Sequence, residues 1–366
     1  MATTQQYTTL GAMAHRAIAR YLKQMVAYEQ PVLADTDPEN LHQMRVGLRR
    51  LRTAVQVFDA GLDLPKAGRE AKIAAVGRRL GQLRDLDVIW ATLRDRYAPD
   101  LPDSEQQQLG LVLLHLAKVR HKTFKRVKKL LKGAPYQPLK QALSNWVAEP
   151  TYTAIAALPA DQVLPDLLLP LVSQLWLHPG WLVGTTTNLN GLAVNTHLNQ
   201  PNTDALISNQ GPTLHSLRKQ VKRVRYQLRL VADLYPHSLD DDIDRLSAMQ
   251  DTLGDLQDST VLEDFIGAVV PSARGQMPTL FALLGDRRHE AWRQWQGYQQ
   301  HYLEADQRQR LRLALLQPET QEQEPIPAEQ PNGDASRSHR RSKVTGKAAK
   351  PKPSQPKAKS KVSKAK

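Results

Sequence analysis

Two stretches of this sequence set a histidine at the head of a run of arginines with helical spacing. The first is LHQMRVGLRRLRTAVQVF, Leu41 to Phe58, and the second is LHSLRKQVKRVRYQLRLV, Leu214 to Val231. A guanidinium donates two parallel hydrogen bonds to oxygens of the phosphate type and stays charged in any environment. At about 100° per residue, His42, Arg45, Arg49, Arg52 and Gln56 share one stripe of a helix, and His215, Arg218, Lys222, Arg225 and Arg229 share another. Neighbours on such a stripe lie about 5–6 Å apart. A row of cations at that pitch suits a linear anion with closely repeated charges.

Neither helix carries an acid between Arg45 and Arg52 or between Arg218 and Arg229. A solvated helix face ordinarily mixes charges, because like charges at i,i+4 repel by a few tenths of a kcal/mol. An anion, from elsewhere in the protein or from outside, is therefore expected to neutralise each row. Two roles stay open for the histidines: hydrogen-bonded residues between helices, or donors to the anion and to its arginines. Surrounding arginines should lower a histidine's pKa, and a bound polyanion should raise it.

The two stretches are copies. His42 falls on His215, Arg45 on Arg218, Arg49 on Lys222, Arg50 on Arg223 and Arg52 on Arg225, all at an offset of 173 residues. LGQLRD from Leu80 and LGDLQD from Leu253 keep the same offset, so the duplicated unit spans several elements. Other chemistry is missing. There is no phosphate-binding glycine loop, no zinc-protease histidine pair and no nucleophile elbow. The carboxylates of Asp85, Asp87, Asp255 and Asp258 could hold a divalent ion or act as bases, but pairing with arginines across the bundle is the favoured reading. No catalytic residue, metal or cofactor is expected.

The elements that position these residues read as helices throughout. They run from Tyr7 to Gln30, with Arg16, Arg20 and Lys23 on the polar side; over the first motif, capped by Asp37; from Pro65 to Arg84; on to about Tyr97 after a kink at 84–87; from Ser104 to about Lys132; and from Pro135 to Ala148. The Ser104 helix carries Lys118, Lys122, Lys125, Lys129 and Lys132 on one face. Val163 to Leu177 takes the part of the first helix for the second half. Residues 179–211 are read as an inserted loop, and the second motif helix as opening at Gly211-Pro212-Thr213. Asp240 to Asp258, Pro278 to Leu284 and Arg287 to Leu316 complete the chain of helices. No strand rhythm is evident, so the fold class is all-α.

The net charge of +14 is uneven: Arg337 to Lys366 holds 12 Lys or Arg and no acid, which leaves 38 basic against 36 acidic residues before it. Residues 318–366, Pro-, Gln- and Glu-rich and then Lys-rich, have the composition of a disordered tail. There are no cysteines, so disulfides and thiolate metal sites are excluded. With no signal peptide and no unbroken apolar span, a soluble cytoplasmic protein without membrane insertion is expected. The sequence does not disclose the oligomeric state.

The pattern H-x-x-R-x-x-x-[RK]-R-x-R, in two copies with the LG-x-L-[RQ]-D segments, resembles the conserved-histidine α-helical (CHAD) domain family. The resemblance covers roughly residues 7–316, within a helical domain of 1–317. It implies two pseudo-symmetric four-helix bundles, about 7–148 and 163–316, with a basic groove lined by the motif helices. It also implies non-catalytic binding of inorganic polyphosphate, in association with polyphosphate granules. The residues at the motif positions are His42, Arg45, Arg49, Arg50, Arg52, His215, Arg218, Lys222, Arg223 and Arg225, and Arg229, Lys118, Lys122 and Lys125 are read as extending the track. The chain departs from the family in its long 179–211 insertion and in Lys222, which binds one-pronged where Arg49 is forked. It also lacks the E-x-E-x-K strand of the triphosphate-tunnel domain that often accompanies the family. Two rival readings are nucleic-acid binding through the basic tail and processing of polyphosphate or triphosphate by an enzyme.

Overall fold

In the computed structural model, residues 8–188, 191–235 and 239–318 are described, so Tyr7 and the tail from 319 onward lie outside them. The helices are α1 Leu10–Ala27, α2 Glu29–Ala34, α3 Pro38–Phe58, α4 Glu70–Ala91, α5 Asp103–Lys132, α6 Tyr136–Ala148 and α7 Ala160–Trp176. A two-stranded antiparallel hairpin follows, β1 Thr185–Asn188 with β2 Gly191–Val194, pairing Thr185 with Val194 and Thr187 with Leu192. Then come α8 Gln200–Val231, α9 Asp240–Val269, α10 Ala273–Gln276, α11 Pro278–Leu303 and α12 Ala305–Leu315. Among the described residues the fold is all-α apart from this hairpin.

The motif helices form for the reasons legible in their sequences. Asp37 caps α3 by accepting from the Glu39 amide, with Pro38 in the first turn. Met44, Leu48, Leu51, Val55 and Phe58 of α3, and Leu217, Val221, Val224, Leu228 and Val231 of α8, are all buried. Each apolar stripe lies opposite the cations and anchors its helix in the core. That core is continuous through both halves, from Leu10 on α1 to Trp295 on α11. A second cluster joins the halves again, where Leu93, Tyr97, Leu109 and Val112 meet Ile266, Met277, Leu280 and Leu284. Beside it Glu105 on α5 is buried and accepts from the Thr279 and Leu280 amides at 2.9 and 3.0 Å. These are unsatisfied donors of the first turn of α11, so a side chain of the first half caps a helix of the second.

Several expected boundaries are corrected. The second motif helix does not open at Gly211: α8 starts at Gln200, capped by Asn199, and runs through Pro212. Proline inside a helix costs about 3 kcal/mol, and here tertiary packing offsets it. Thr203 and Ile207 are buried, and Asp204 pairs with Arg288 at 3.2 Å on α11. Residues 179–211 thus include a short 3-10 turn, the two hairpin strands and the first three turns of α8, rather than a loop. The first helix, expected to reach Gln30, ends at Ala27, and Pro31 sits in the first turn of the separate helix α2, where its missing amide has no partner to lose. The segment 84–87 lies within an unbroken α4, and the irregularity is a π-helical turn at Thr92–Tyr97. The break expected near 285 is absent: α11 is continuous to Leu303, held by buried Leu284, Arg288, Trp292 and Trp295.

Candidate functional site

Helices α3 and α8 pack directly against each other. The two cation stripes therefore share a seam. The arginine that heads each stripe is held by a matched device. Arg45 donates from Nη1 to the Gly77 carbonyl at 3.0 Å, and Arg218 donates from Nε to the Gln250 carbonyl at 3.4 Å. Gly77 and Gln250 stand at the same 173-residue offset as the arginines. One turn on, a Cβ at Gly81 would lie 2.7 Å from Arg45 Nη1, and one at Gly254 would lie 2.6 Å from Arg218 Nη2. A guanidinium lies against the glycine of each LG-x-L segment, so a side chain there would push that guanidinium aside.

Between these anchors Lys222 is half-buried and makes no ion pair among the described residues. Burial pushes its ammonium down to about 8, helped by Arg49, Arg218, Arg45 and Arg225. Five cations thus crowd one place. Arg49 and Arg225 lie over the ring of Tyr226 at 4.3 and 4.5 Å, which favours both charges. The Nε of each is buried without a partner among the described residues. Arg225 Nη1 donates to the Ser247 hydroxyl. Burial lowers the Arg49 guanidinium below its ordinary value, with Arg225 and Arg45 adding to the shift.

Two cavities open on this seam. One, of about 220 Å³, is lined by Tyr21, Arg49, Arg50, Arg225, Tyr226 and Arg229, with Asp244 on its wall. The other, of about 440 Å³, includes His215, Arg218, Lys222, Asp85, Asp258 and Arg287. Burial raises the Asp85 carboxyl above its usual range, against the pull of Arg45, Lys222 and Arg218. Asp258, its counterpart in the second copy, is also raised by burial and lies 4.0 Å from Arg218. The first cavity sets four arginines and Asp244 beside Tyr21, Tyr226, Leu230 and Ile243, and the second carries Asp85, Asp255 and Asp258 among its cations.

The two histidines sit in different surroundings. His215 Nδ1 is hydrogen-bonded to the Gln257 side chain. His42 has no such bond among the described residues; burial lowers its pKa, and Arg84 lowers it further. Arg84 and Gln257 occupy matched positions.

The missing acids come partly from neighbouring helices. Glu70 pairs with Arg52 at 2.5 Å and Asp240 with Arg229 at 3.7 Å. Among the described residues Arg49, Lys222 and Arg225 make no ion pair, and Arg50 and Arg223 are exposed without one. Lys118, Lys122 and Lys125 are exposed on α5, which packs chiefly on α4, and they line neither cavity. Asp87 is held by Arg120 at 2.7 Å and Asp255 by Arg287 at 2.8 Å. Among the described residues no group of His, Asp and Glu is arranged to hold a metal ion. Sequence reasoning missed Tyr226 and Tyr21. The available signal was an aromatic directly after Arg225 and another directly after Arg20, each beside the cation face.

The family model described as CHAD domain matches residues 16–267. The crystal structure of the CHAD domain from the plant Ricinus communis is similar with a TM-score of 0.51 and 22% identity, over 86% of this chain and 94% of that one. PptA from Streptomyces chartreusis is similar with a TM-score of 0.56 and 15% identity, over 81% of this chain and all of that one, 100%. No curated protein matches. Among the described residues no helix is long and apolar enough to cross a membrane.

Proposed function

The chain belongs to the CHAD domain family, and we propose from that premise that it binds inorganic polyphosphate at the seam between α3 and α8, without catalysis, at polyphosphate granules. The observation that carries this reading is the cluster of Arg45, Arg49, Arg218, Lys222 and Arg225, in which, among the described residues, the one ion pair is the long contact of Arg218 with Asp258, while Asp85 and Asp244 stand nearby. Holding five cations together in a partly desolvated place is costly unless an anion joins them. A polyphosphate chain supplies repeated charge at short intervals, and a forked guanidinium grips each phosphate at two oxygens. The matched anchoring of Arg45 and Arg218 supports reading the core as two pseudo-symmetric four-helix units, α1, α3, α4 and α5 against α7, α8, α9 and α11.

The test is polyphosphate binding to the full chain and to residues 1–318 across a salt series, with duplex DNA as competitor. Tight binding by the core, steeply weakened by salt and resistant to DNA, is the expected result, since each phosphate neutralised releases counterions. Binding that vanishes with the tail would overturn the reading and favour a nucleic-acid binder acting through its last thirty residues. Release of orthophosphate on adding divalent ions would overturn the non-catalytic part.

A further inference from the structure

The seam has an exit, and the two copies of the fold differ there. Helix α1 crosses α3 so closely that a Cβ on Gly47 would lie 2.8 Å from the Met25 amide nitrogen. This brings the edge of α1 against the cation side of α3. Arg50 donates to the Gln24 side chain at 3.4 Å, and its guanidinium lies 6.0 Å from the ring of Tyr21. The guanidinium of Arg20 lies 5.8 Å from the same ring. Tyr21 in turn lines the cavity that holds Arg49, Arg225 and Arg229. Arg16, Arg20 and Lys23 follow at i, i+4 and i+7 on one face of α1, all exposed and without an ion pair among the described residues. At about 1.5 Å per residue, the row continues the cation path for roughly another 10 Å.

The corresponding helix of the second half offers no such continuation. From Ala160 to Trp176, α7 has no Lys or Arg and carries Asp161 and Asp166. Gln220 stands where Gly47 stands in the first copy, and its side chain donates across to the Leu171 carbonyl at 3.5 Å. The cation path therefore leaves the seam on one side only.

We propose that Arg16, Arg20 and Lys23, joined to the seam through Tyr21 and Arg50, form an outer subsite for long polyphosphate chains. This rests on the polyphosphate reading of the seam. The subsite engages a chain only after the inner cations are filled, so it selects for length. Short anions such as tripolyphosphate are held by the inner cluster and do not reach it.

The experiment compares the full chain with its Arg16→Ala, Arg20→Ala, Lys23→Ala triple variant, titrated with tripolyphosphate and with long-chain polyphosphate across a salt series. Alanine keeps the helix, and the three side chains are exposed, so the melting temperature serves as a check on folding. The expected result is unchanged tripolyphosphate affinity, about tenfold weaker long-chain affinity and a long-chain salt slope shallower by about 2. Equal long-chain affinity in the variant and the parent would overturn the outer subsite while leaving the seam intact. An equal loss for both ligands would also overturn it, since that is a general charge effect and not a length-selecting track. Failure of the parent to bind either anion would instead remove the reading on which the subsite rests.

Discussion

The two copies of the motif share their anchors and differ in what surrounds their working cations. In both, the first arginine crosses a glycine and bonds a main-chain carbonyl of the next helix. In the first copy Arg84 stands beside His42 and Glu70 neutralises Arg52. In the second copy Gln257 bonds His215, and Ser247 accepts from Arg225 in place of an acid. The first copy carries the forked Arg49, and the second carries Lys222 with its depressed ammonium. The duplicated part is the device that aims the arginines. The divergent part is the electrostatics around them, and it leaves the surplus of positive charge at the centre of the seam.

The largest expected effect comes from removing that centre. Replacing Arg49 and Arg225 together with alanine should weaken polyphosphate binding by two orders of magnitude or more, at about 1.5–3 kcal/mol per charged hydrogen-bonding group. It should cost little stability, because neither side chain pairs with an acid. A binding titration and a melting curve on the same variant check both halves of this. By contrast, Arg45→Ala and Arg218→Ala should each destabilise the fold by about 0.5–1.5 kcal/mol, since each gives up one hydrogen bond to a carbonyl of the next helix. Equal losses in the two would support the matched anchors, and unequal ones would break the comparison.

Glu105→Gln tests the union of the halves outside the seam. It should lower stability by about 1–2 kcal/mol by weakening the cap on α11, measured by denaturant unfolding, without changing polyphosphate affinity.

Lys222 makes the seam sensitive to pH. Its folded-state pKa of about 8 lies below the roughly 10.4 of an unfolded lysine. Between those values the folded chain holds fewer protons than the unfolded one, so this residue contributes stability that rises as the pH climbs through that window. Bound polyanion needs the charged form, so affinity should fall as the pH rises above about 8. Lys222→Arg should flatten that fall, and parallel titrations at several pH values would show it. The smallest effect expected is at His42. Arg84→Gln, which gives the first copy the residue of the second, should raise the His42 pKa, readable by NMR titration.

Much of this was legible in the sequence, because helical period sorts residues by face. The apolar stripes of both motif helices are buried as their spacing requires. The pairing of Asp87 and Asp255 with arginines also follows the expectation. What periodicity could not supply is how far a side chain reaches. Arg45 and Arg49 share one stripe, yet one bonds a carbonyl of α4 and the other lies on Tyr226 of α8. That distinction arises only when three helices meet. The start of α8 differs from its sequence signal for a related reason: Pro212 is a local signal, and the packing of Thr203 and Ile207 that overrides it is not. Strands β1 and β2 are only four residues each, too short for a period of two to stand out in the sequence.

Polyphosphate at the seam of α3 and α8 would be held by Arg49, Lys222 and Arg225, which make no ion pair among the described residues. Isothermal titration of long-chain polyphosphate into the full chain, beside the Arg49→Ala, Lys222→Ala, Arg225→Ala variant with its tail intact, tests this assignment most directly. The account predicts loss of the tight, salt-sensitive phase in a variant that melts like the parent. Unchanged affinity in a folded variant would contradict it and move the binding to another surface of the chain.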